Sequence, residues 1–192
     1  MKDQIWLTGF SGTGKSRLAK PLATALDWEA IDLDRQIEQR AGDNIPNIFR
    51  KGGEDAFRVL ESELVEAASE KPNVVVATGG GAVLAENNRA AMRRRGFVVC
   101  LDARPETLLE RLRSDRADVE ERPLLASDNP LSAIMELKAK RDPVYFQADF
   151  IIQTDDMTPD QVTHQVLTAF REQSAQSVVG AGRPPGGAGS AA

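Results

Sequence analysis

Short apolar runs alternate along the chain with longer segments in which apolar residues recur every three or four positions. The short runs, several of them rich in Val and Ile, predict five strands, at 4–8, 29–33, 74–77, 97–101 and 149–153. The periodic segments predict amphipathic helices at 14–26, 35–41, 54–69, 87–95, 105–113, 130–141 and 159–173. Strands that alternate with helices in this way predict an α/β fold, a five-stranded parallel sheet flanked by helices.

The length of 192 residues fits one domain with one core, and we expect this domain to span residues 1–173. Residues 174–192 differ in composition, because Gly, Ala, Ser and Pro dominate them. Such a segment buries too little apolar surface to offset the entropy that ordering removes. We therefore expect a disordered tail.

Charge and composition limit the kinds of partner that the protein is expected to have. A net charge of -5 gives no general attraction for nucleic acid or for an anionic membrane surface. No apolar stretch approaches the roughly 20 residues that span a bilayer, so we expect neither partner. The one cysteine, Cys100, lies in the apolar run 97–101 and is predicted to be a buried small hydrophobe. We expect a cytoplasmic protein and a monomer.

The clearest chemical motif is the sequence GFSGTGKS at residues 9–16, between a predicted strand and a predicted helix. In this context the glycines turn successive backbone N–H groups inward. Together with the helix N-terminus, these groups form a cradle for the phosphates of a nucleoside triphosphate. Lys15 would lie beside the transferring phosphoryl group, and the Ser16 hydroxyl would be a Mg²⁺ ligand. The motif predicts the phosphate donor and leaves the acceptor open.

Two carboxylates, Asp32 and Asp34, flank Leu33 at the end of the second predicted strand. Residues i and i+2 of an extended segment face the same way, so both side chains are predicted to point into the crevice beyond the carboxyl ends of the strands. One carboxylate would hold water on Mg²⁺, and the other would accept the proton of an attacking hydroxyl. The alternative is that one of them caps the following helix.

An arginine and three glycines point to a small acceptor. Arg58 lies within four residues of glutamates in its predicted helix, so it forms either surface ion pairs or a fork for a substrate carboxylate, oriented by Glu61. Gly79, Gly80 and Gly81 follow a buried strand. They predict either a close approach of the backbone to a ligand or a flexible connector.

The polar segment 114–127 contains Arg116 and Arg122. It is predicted to be either a mobile lid that swings an arginine over the phosphates or an ordinary charged surface loop. Arg141 lies near the end of the predicted helix 130–141, before Asp-Pro. The lone histidine, His164, is far in sequence from every motif, and we expect it to be solvated.

Six segments together resemble the shikimate kinase family, in the family's order and at similar spacing. They are GFSGTGKS (9–16), DLD followed by IEQRAG (32–42), GGEDAFRVLE (52–61), ATGGGAV (77–83), RPLL (122–125) and KRDPVY (140–145). The resemblance covers about residues 4–170. It implies a P-loop fold like that of the nucleoside monophosphate kinases, with a lid at about 114–127 and a small helical substrate-binding region at about 33–62.

The resemblance also implies the reaction, which transfers the γ-phosphate of ATP to the 3-hydroxyl of shikimate in aromatic amino-acid biosynthesis. Asp34 would bind the ring hydroxyls and act as the base. The shikimate carboxylate would lie between Arg58 and Arg141. The rest of the substrate would be lined by the backbone of three glycines, Gly79, Gly81 and chiefly Gly80.

On the nucleotide side, the resemblance implies a set of ATP-binding residues, namely Gly12, Thr13, Gly14, Lys15, Ser16, Arg17, Arg111 and Arg122. Arg111 would stack near adenine, and Arg122 would be the lid arginine. Asp32 would act with Ser16 around Mg²⁺, through water. Lys15, Asp34 and Arg122 would be the catalytic residues. The sequence departs from the family at Arg17, where relatives usually carry Thr.

Two other functions stay open at this point. A gluconate-type sugar-acid kinase would share the P-loop and a carboxylate-bearing acceptor, although the DLD, GGG and RPLL segments disfavour it. A non-catalytic nucleotide-binding module would keep the fold without the chemistry. The presence of Lys15, Ser16, Asp34 and Arg122 argues against that second alternative.

Overall fold

The computed structural model describes residues 2–114 and 127–180 of the chain. Its strands are β1 (Gln4–Thr8), β2 (Glu29–Asp32), β3 (Val74–Ala77), β4 (Gly96–Asp102) and β5 (Phe150–Gln153). Its helices are α1 (Lys15–Leu26), α2 (Leu33–Ala41), α3 (Ile45–Ser69), α4 (Glu86–Arg95), α5 (Pro105–Ser114), α6 (Pro130–Tyr145) and α7 (Pro159–Gly180). A short 3₁₀ helix, Ala82–Leu84, follows the three glycines.

The five strands form one parallel sheet in the order β2-β3-β1-β4-β5, which confirms the predicted α/β fold. Side chains alternate between the faces of a strand, so Ile5 and Leu7 pack on one face of β1 and Trp6 on the other. Helices α1 and α7 cover the first face, while α2 to α6 cover the second. Because β1, β3 and β4 are buried on both faces, their sequences are almost continuously apolar.

The carboxyl ends of the strands meet at one edge of the sheet, because all of the pairings are parallel. β2, β3 and β1 are neighbours there, so the segments that follow them lie side by side. These segments are the start of α2, the three glycines at 79–81, and the phosphate cradle at residues 9–16, which is the P-loop. Open parallel sheets bind ligands at this edge, and the fold therefore gathers the predicted site from distant parts of the sequence.

The second strand is shorter than predicted, and the helix after it starts earlier. β2 ends at Asp32 and α2 begins at Leu33, whereas the sequence predicted a strand to 33 and a helix from 35. Asp32 keeps extended backbone angles, and its carboxylate accepts a hydrogen bond from the backbone N–H of Arg35 at 3.2 Å. This cap fixes the helix start immediately after Asp32.

The third helix begins at Ile45 rather than at residue 54. The Asn44 side chain accepts a hydrogen bond from the backbone N–H of Asn47 at 2.9 Å, and Pro46 occupies the first turn, where it is tolerated. The glycine pair at 52–53 marks a kink inside this helix rather than its start. Gly53 alone leaves helical geometry, with φ 73° and ψ -176°.

Two C-terminal boundaries also differ from the prediction. α6 continues past Pro143 to Tyr145, and α7 continues to Gly180. The first part of the segment predicted as a disordered tail, residues 174–180, is therefore helical, because α7 continues through it without a break. Residues 181–192 lie outside the described residues.

Three smaller expectations concern the cysteine, the histidine and membrane-spanning helices. Cys100 is buried, as predicted, and burial raises the pKa of its thiol to about 12, which makes it inert. His164 is exposed on α7, also as predicted. Across residues 2–114 and 127–180, none of the helices combines the length and the apolar character that crossing a membrane would require.

Candidate active site

The phosphate cradle, residues 9–16, connects β1 to α1 through three glycines with positive φ. These angles are 125° at Gly9, 85° at Gly12 and 96° at Gly14. At Gly9 an added Cβ would also overlap the backbone carbonyl oxygen of Leu101, so both the angle and the space require glycine there. α1 starts directly after Gly14, which places the helix N-terminus at the loop. This arrangement is suited to binding an anion.

Lys15 lies inside the cradle. Its side chain is buried, and Nζ donates hydrogen bonds to the backbone carbonyl oxygens of Gly9 at 2.8 Å and Phe10 at 2.9 Å. Burial lowers the pKa of Lys15 to about 8, although the negative charges of Asp34 and Asp32 act in the opposite direction. Because these hydrogen-bond partners are neutral carbonyls, the positive charge is available to phosphate oxygens.

The two aspartates do not lie on one extended segment, so the geometry predicted for them is wrong. Asp32 is the last residue of β2 and caps α2, while Asp34 lies in the first helical turn. Both carboxylates nevertheless act electrostatically on Lys15, which places them near the cradle. Burial raises the pKa of Asp34, and the positive charge of Lys15 opposes that rise.

Arg58 is held in the site by two glutamates. Its Nη1 donates to Glu61 at 2.6 Å, and its Nη2 donates to Glu54 at 3.0 Å. Glu54 is exposed, whereas the Glu61 side chain is only 1% exposed. Arg58 therefore has both an exposed ion pair and the buried partner expected to orient it, while the fork for a substrate carboxylate stays a prediction.

Glu61 links the remaining charged groups of the site. Burial raises the pKa of the Glu61 carboxyl, the positive charges of Arg58 and Arg141 lower it, and the negative charge of Asp34 raises it. All three side chains therefore lie within electrostatic range of Glu61. We refer to Asp34, Arg58, Glu61 and Arg141 as the acceptor cluster. In the described part of the chain, Oε1 of Glu61 is buried without a hydrogen-bond partner.

Two of the three consecutive glycines make room for the acceptor cluster. An added Cβ at Gly79 would lie 2.8 Å from Oδ1 of Asp34 and 2.9 Å from Oε1 of Glu61. At Gly81 it would overlap the guanidinium of Arg58, with Cζ at 2.7 Å. The sequence predicted a close approach of backbone to ligand. The structure shows that here the backbone closely approaches side chains of the site itself.

The middle glycine faces the cavity and contacts α6. Gly80 lines the cavity, and its carbonyl oxygen accepts a hydrogen bond from the Tyr145 hydroxyl. Burial raises the pKa of Tyr145 to about 12, against the opposing charge of Arg141. The Arg141 guanidinium lies 6.0 Å from the ring centroid of Phe10, within cation–π range. The sequence did not single out Phe10 or Tyr145, although both lie within the segments that resemble the family.

A cavity of about 950 Å³ runs along the P-loop to the acceptor cluster. The predicted residues that line it are Gly12, Thr13, Gly14, Lys15, Ser16, Arg17, Asp34, Gly80 and Arg111. Those that lie outside its lining are Asp32, Arg58, Gly79, Gly81 and Arg141. The cavity therefore brings the donor residues together with Asp34, while the two arginines of the acceptor cluster stand outside this lining.

Arg111 and the segment after β5 also line the cavity. Arg111 donates from Nη1 to the Thr154 hydroxyl at 2.9 Å and from Nη2 to the Thr154 carbonyl oxygen at 2.6 Å. Met157 and Pro159 add apolar lining. The sequence prediction missed Thr154, Met157 and Pro159. Their position directly after the carboxyl end of a predicted strand was the available signal.

The part of the chain that the structure describes contains no cluster of three or more His, Cys, Asp or Glu side chains that could hold a metal ion. Mg²⁺ usually keeps several waters and takes other ligands from substrate phosphates, so it needs few protein ligands. Ser16 has an exposed hydroxyl at the start of α1 and Asp32 has a carboxylate, and both are hard oxygen donors of the kind that fits Mg²⁺. Arg116 and Arg122 lie outside the described residues, so the predicted lid is not placed.

Known proteins of one family match nearly the whole chain. The family model for shikimate kinase matches residues 11–171. The chain belongs to the shikimate kinase family. A shikimate kinase from Thermoanaerobacter pseudethanolicus is 42% identical over 166 residues, which cover 86% of this chain and 95% of that protein. The family predicted from the sequence motifs is therefore confirmed.

Solved structures separate this family from the sugar-acid kinases. A shikimate kinase from Acinetobacter baumannii in complex with shikimate has a TM-score of 0.83 and 33% identity, with coverage of 90% of this chain and 95% of that chain. A gluconokinase from Sinorhizobium meliloti has a TM-score of 0.60 and 15% identity, with coverage of 95% and 100%. The gluconokinase shares the fold alone. The family match supports the shikimate kinase prediction over the gluconate-type alternative.

Proposed function

We propose that this protein transfers the γ-phosphate of ATP to the 3-hydroxyl of shikimate, giving shikimate 3-phosphate and ADP. The observation that carries the proposal is one cavity lined by both Lys15 of the phosphate cradle and Asp34 of the acceptor cluster. Phosphoryl transfer requires the donor phosphate and the acceptor hydroxyl to meet at about 3 to 3.5 Å. Membership of the shikimate kinase family supports this acceptor.

On the donor side, we assign the phosphates of ATP to the backbone N–H groups of Gly12, Thr13 and Gly14 at the start of α1. Lys15 would exchange its carbonyl partners for phosphate oxygens and stabilise the charge of the transferring group. Arg111 would border the adenine end of the cavity, where its contacts with Thr154 fix its guanidinium. We also assign Arg17 to the nucleotide side, because it lines the same cavity.

Mg²⁺ is the expected cofactor, and we assign it to the Ser16 hydroxyl and to the Asp32 carboxylate, the latter through water. When bound, the ion would neutralise charge on the transferring phosphates. Asp32 already caps α2, so its carboxylate has a fixed position near the cradle. We assign Arg122 to the lid that reaches the phosphates, completing the catalytic set with Lys15 and Asp34.

On the acceptor side, we propose that Arg58 and Arg141 bind the carboxylate of shikimate. Charge-assisted hydrogen bonds from a guanidinium orient a carboxylate as well as bind it, and orientation dominates phosphoryl transfer. Glu61 would hold Arg58 in the required rotamer, since the Glu61 carboxylate is buried and accepts a 2.6 Å hydrogen bond from the partly exposed guanidinium. The backbone of Gly79, Gly80 and Gly81 would line the substrate, chiefly at Gly80.

Asp34 is the proposed base, and it would also bind the ring hydroxyls. Burial raises the pKa of Asp34, which makes the carboxylate a stronger proton acceptor than an exposed aspartate. In a loose transition state the hydroxyl loses its proton late. Asp34 would therefore position the hydroxyl first and accept the proton as the new P–O bond forms.

For the organisation of the chain we propose one kinase domain over residues 1–173, with the acceptor region at about 33–62 and the lid at about 114–127. We assign no catalytic role to residues 174–192, of which 174–180 belong to α7. A monomer in the cytoplasm is the arrangement we expect. The single buried cysteine suits a reducing compartment, because it offers no disulfide.

A coupled assay of ADP release tests the proposal directly. With ATP and Mg²⁺, shikimate should support turnover on the order of 1 to 100 per second, and gluconate should not. Identification of shikimate 3-phosphate by mass would confirm the acceptor. Turnover with gluconate alone would overturn the proposal. ATP binding without turnover of either acceptor would instead indicate a non-catalytic nucleotide-binding module.

A further inference from the structure

Helix α6, which carries Arg141, packs on the core through apolar side chains, among them Ile134, Leu137 and Val144, and also through polar ones. Along the whole helix, only Ile134, Lys138 and Tyr145 are buried. Two of these three side chains carry polar atoms, so a charged group and a phenol are buried in the half of α6 that carries Arg141, beside the partly buried Val144. Burying such groups is favourable only when they are hydrogen-bonded, which makes their partners important.

Lys138 docks α6 onto the carboxyl end of β4. Its Nζ lies 2.9 Å from Oδ1 of Asp102 and 2.9 Å from Oδ2 of Asp142, and it also lies 5.6 Å from the ring centroid of Phe146. Asp102 is itself buried and accepts a hydrogen bond from Gln153 of β5 at 2.7 Å. Lys138 is therefore the positive centre of a buried ion cluster that joins α6 to the sheet.

Tyr145 forms the second attachment, through its hydrogen bond to the carbonyl oxygen of Gly80. Residues 138, 141 and 145 follow the i, i+3, i+7 spacing of one helix face, so Arg141 lies between the two attachments. Pro143 stands inside the same stretch and lacks the N–H that would bond to residue 139. The helix therefore lacks one backbone hydrogen bond in the stretch that carries Arg141.

We propose that Lys138, with Asp102, and Tyr145 are positioning residues that fix Arg141 toward the shikimate carboxylate. This inference rests on the proposed function, because it gives Arg141 a substrate to bind. Loss of Lys138 would leave the carboxylates of Asp102 and Asp142 facing each other, and their repulsion would push this part of α6 away from β4. A displacement of Arg141 by about 1 Å is enough to weaken an oriented contact by tenfold or more.

The first test is the variant Lys138→Met, which keeps the length of the side chain and removes its charge. We expect the KM for shikimate to rise about tenfold and the KM for ATP to change less than about twofold. The matched control is Lys140→Met on the exposed face of the same helix, which should change neither constant. Lys138→Arg should restore most of the affinity, since arginine can pair with both carboxylates.

A double-mutant cycle with Arg141→Ala distinguishes positioning from general structural support. If Lys138 acts through Arg141, Lys138→Met should lower kcat/KM for shikimate in the wild-type background and have little further effect once Arg141 is gone. Equal losses in both backgrounds, or no loss in the wild-type background, would overturn the proposal. Should Lys138→Met not fold, as judged by its melting temperature, Tyr145→Phe completes the same cycle, with the same expected and contrary outcomes.

The cycle also separates failure of this inference from failure of the proposed function. An active wild-type enzyme with additive losses rejects the positioning role alone. A folded wild-type protein that binds ATP but does not phosphorylate shikimate rejects both.

Discussion

The phosphate cradle and the acceptor cluster meet in one site, but different kinds of structure hold them. The cradle is a run of backbone, residues 9–16, whose glycines adopt positive φ and whose lysine binds its own loop. The acceptor cluster takes its side chains from three helices, α2, α3 and α6. The cradle is local in sequence, whereas the acceptor cluster depends on how the whole domain packs.

This difference determines how each part responds to change. Backbone N–H groups cannot be mutated, and they keep their dipoles at any pH, so the cradle relies on one titratable group, Lys15. The acceptor cluster consists of four ionisable side chains whose charges act on one another around the buried Glu61. A change at one of them therefore alters the ionisation and the position of the others.

The largest effect is expected on the donor side, where a single side chain carries the charge. Lys15→Met should lower kcat/KM by about 10³-fold, the loss typical of a group that stabilises transition-state charge. Lys15→Arg serves as the control that keeps the charge but not the geometry. Steady-state kinetics with both substrates would show the loss, and a loss below about tenfold would contradict the role of Lys15.

Asp34→Asn tests whether the acceptor side contains a base that is separate from nucleotide binding. We expect kcat to fall by about 10²-fold or more, the range for general-base catalysis, with ADP binding unchanged in calorimetry. Asp55→Asn, an exposed aspartate on α3 outside the cavity lining, is the control and should keep its turnover. A nearly unchanged kcat for Asp34→Asn would remove Asp34 as the base.

The same variant should be more stable than the wild type at neutral pH. Burial raises the pKa of Asp34 in the folded state, so ionisation above the unfolded pKa costs stability, and asparagine avoids that cost. We expect a gain of about 1 kcal/mol at pH 7. The gain should shrink as the pH falls from the raised pKa of folded Asp34 toward the ordinary aspartate pKa of about 4, where the side chain becomes neutral in both states. Melting temperatures between pH 4 and pH 8 would measure it.

A smaller effect is expected from Gly81→Ala, which adds one methyl group in the space that Arg58 occupies. Displacing the guanidinium should raise the KM for shikimate by about tenfold and leave the KM for ATP unchanged. Gly42→Ala is the control for a loss of stability without a clash: its φ of 66° strains alanine, but an added Cβ meets nothing within 4 Å, so the melting temperature should fall while both KM values stay unchanged. Equal increases in both constants for Gly81→Ala would contradict a specific contact with the acceptor side.

The smallest effect is a pH dependence of nucleotide affinity. The pKa of Lys15 is lowered to about 8, so the ammonium that binds phosphate is lost as the pH rises through that value. ADP affinity should therefore fall by about fourfold between pH 7 and pH 8.5. Lys15→Arg should not show this fall, because arginine stays protonated. Calorimetric titrations across this range would reveal whether Lys15 is the group responsible.

The sequence predicted the cradle well and the acceptor cluster only in part, for the same physical reason. A P-loop is specified by consecutive residues, so residues 9–16 contain nearly all of its geometry. The partners of Asp34 and Arg58 come from elements far apart in the chain. Their mutual charges depend on burial that no local pattern reports.

Element boundaries were likewise predicted correctly where the local sequence allows few alternatives, and wrongly where it allows several. β3 was predicted to the residue, because a continuous β-branched run between polar segments has few alternatives. The start of α2 was misplaced because Asp32 serves both as the end of a strand and as a cap. The sequence prediction missed the first part of α3, whose residues 45–53 include Pro46 and two glycines that are poor helix formers, although only Gly53 leaves helical geometry.

The space beside the three glycines sets a condition for transplanting this chemistry. A protein engineer who copied Asp34, Arg58 and Glu61 onto another P-loop scaffold would also need bare backbone where Gly79 and Gly81 stand. A single methyl group at either position would overlap the transplanted atoms. The two glycines contribute to the acceptor site by the volume they leave empty, and a graft of the charged side chains alone would force those side chains into other rotamers.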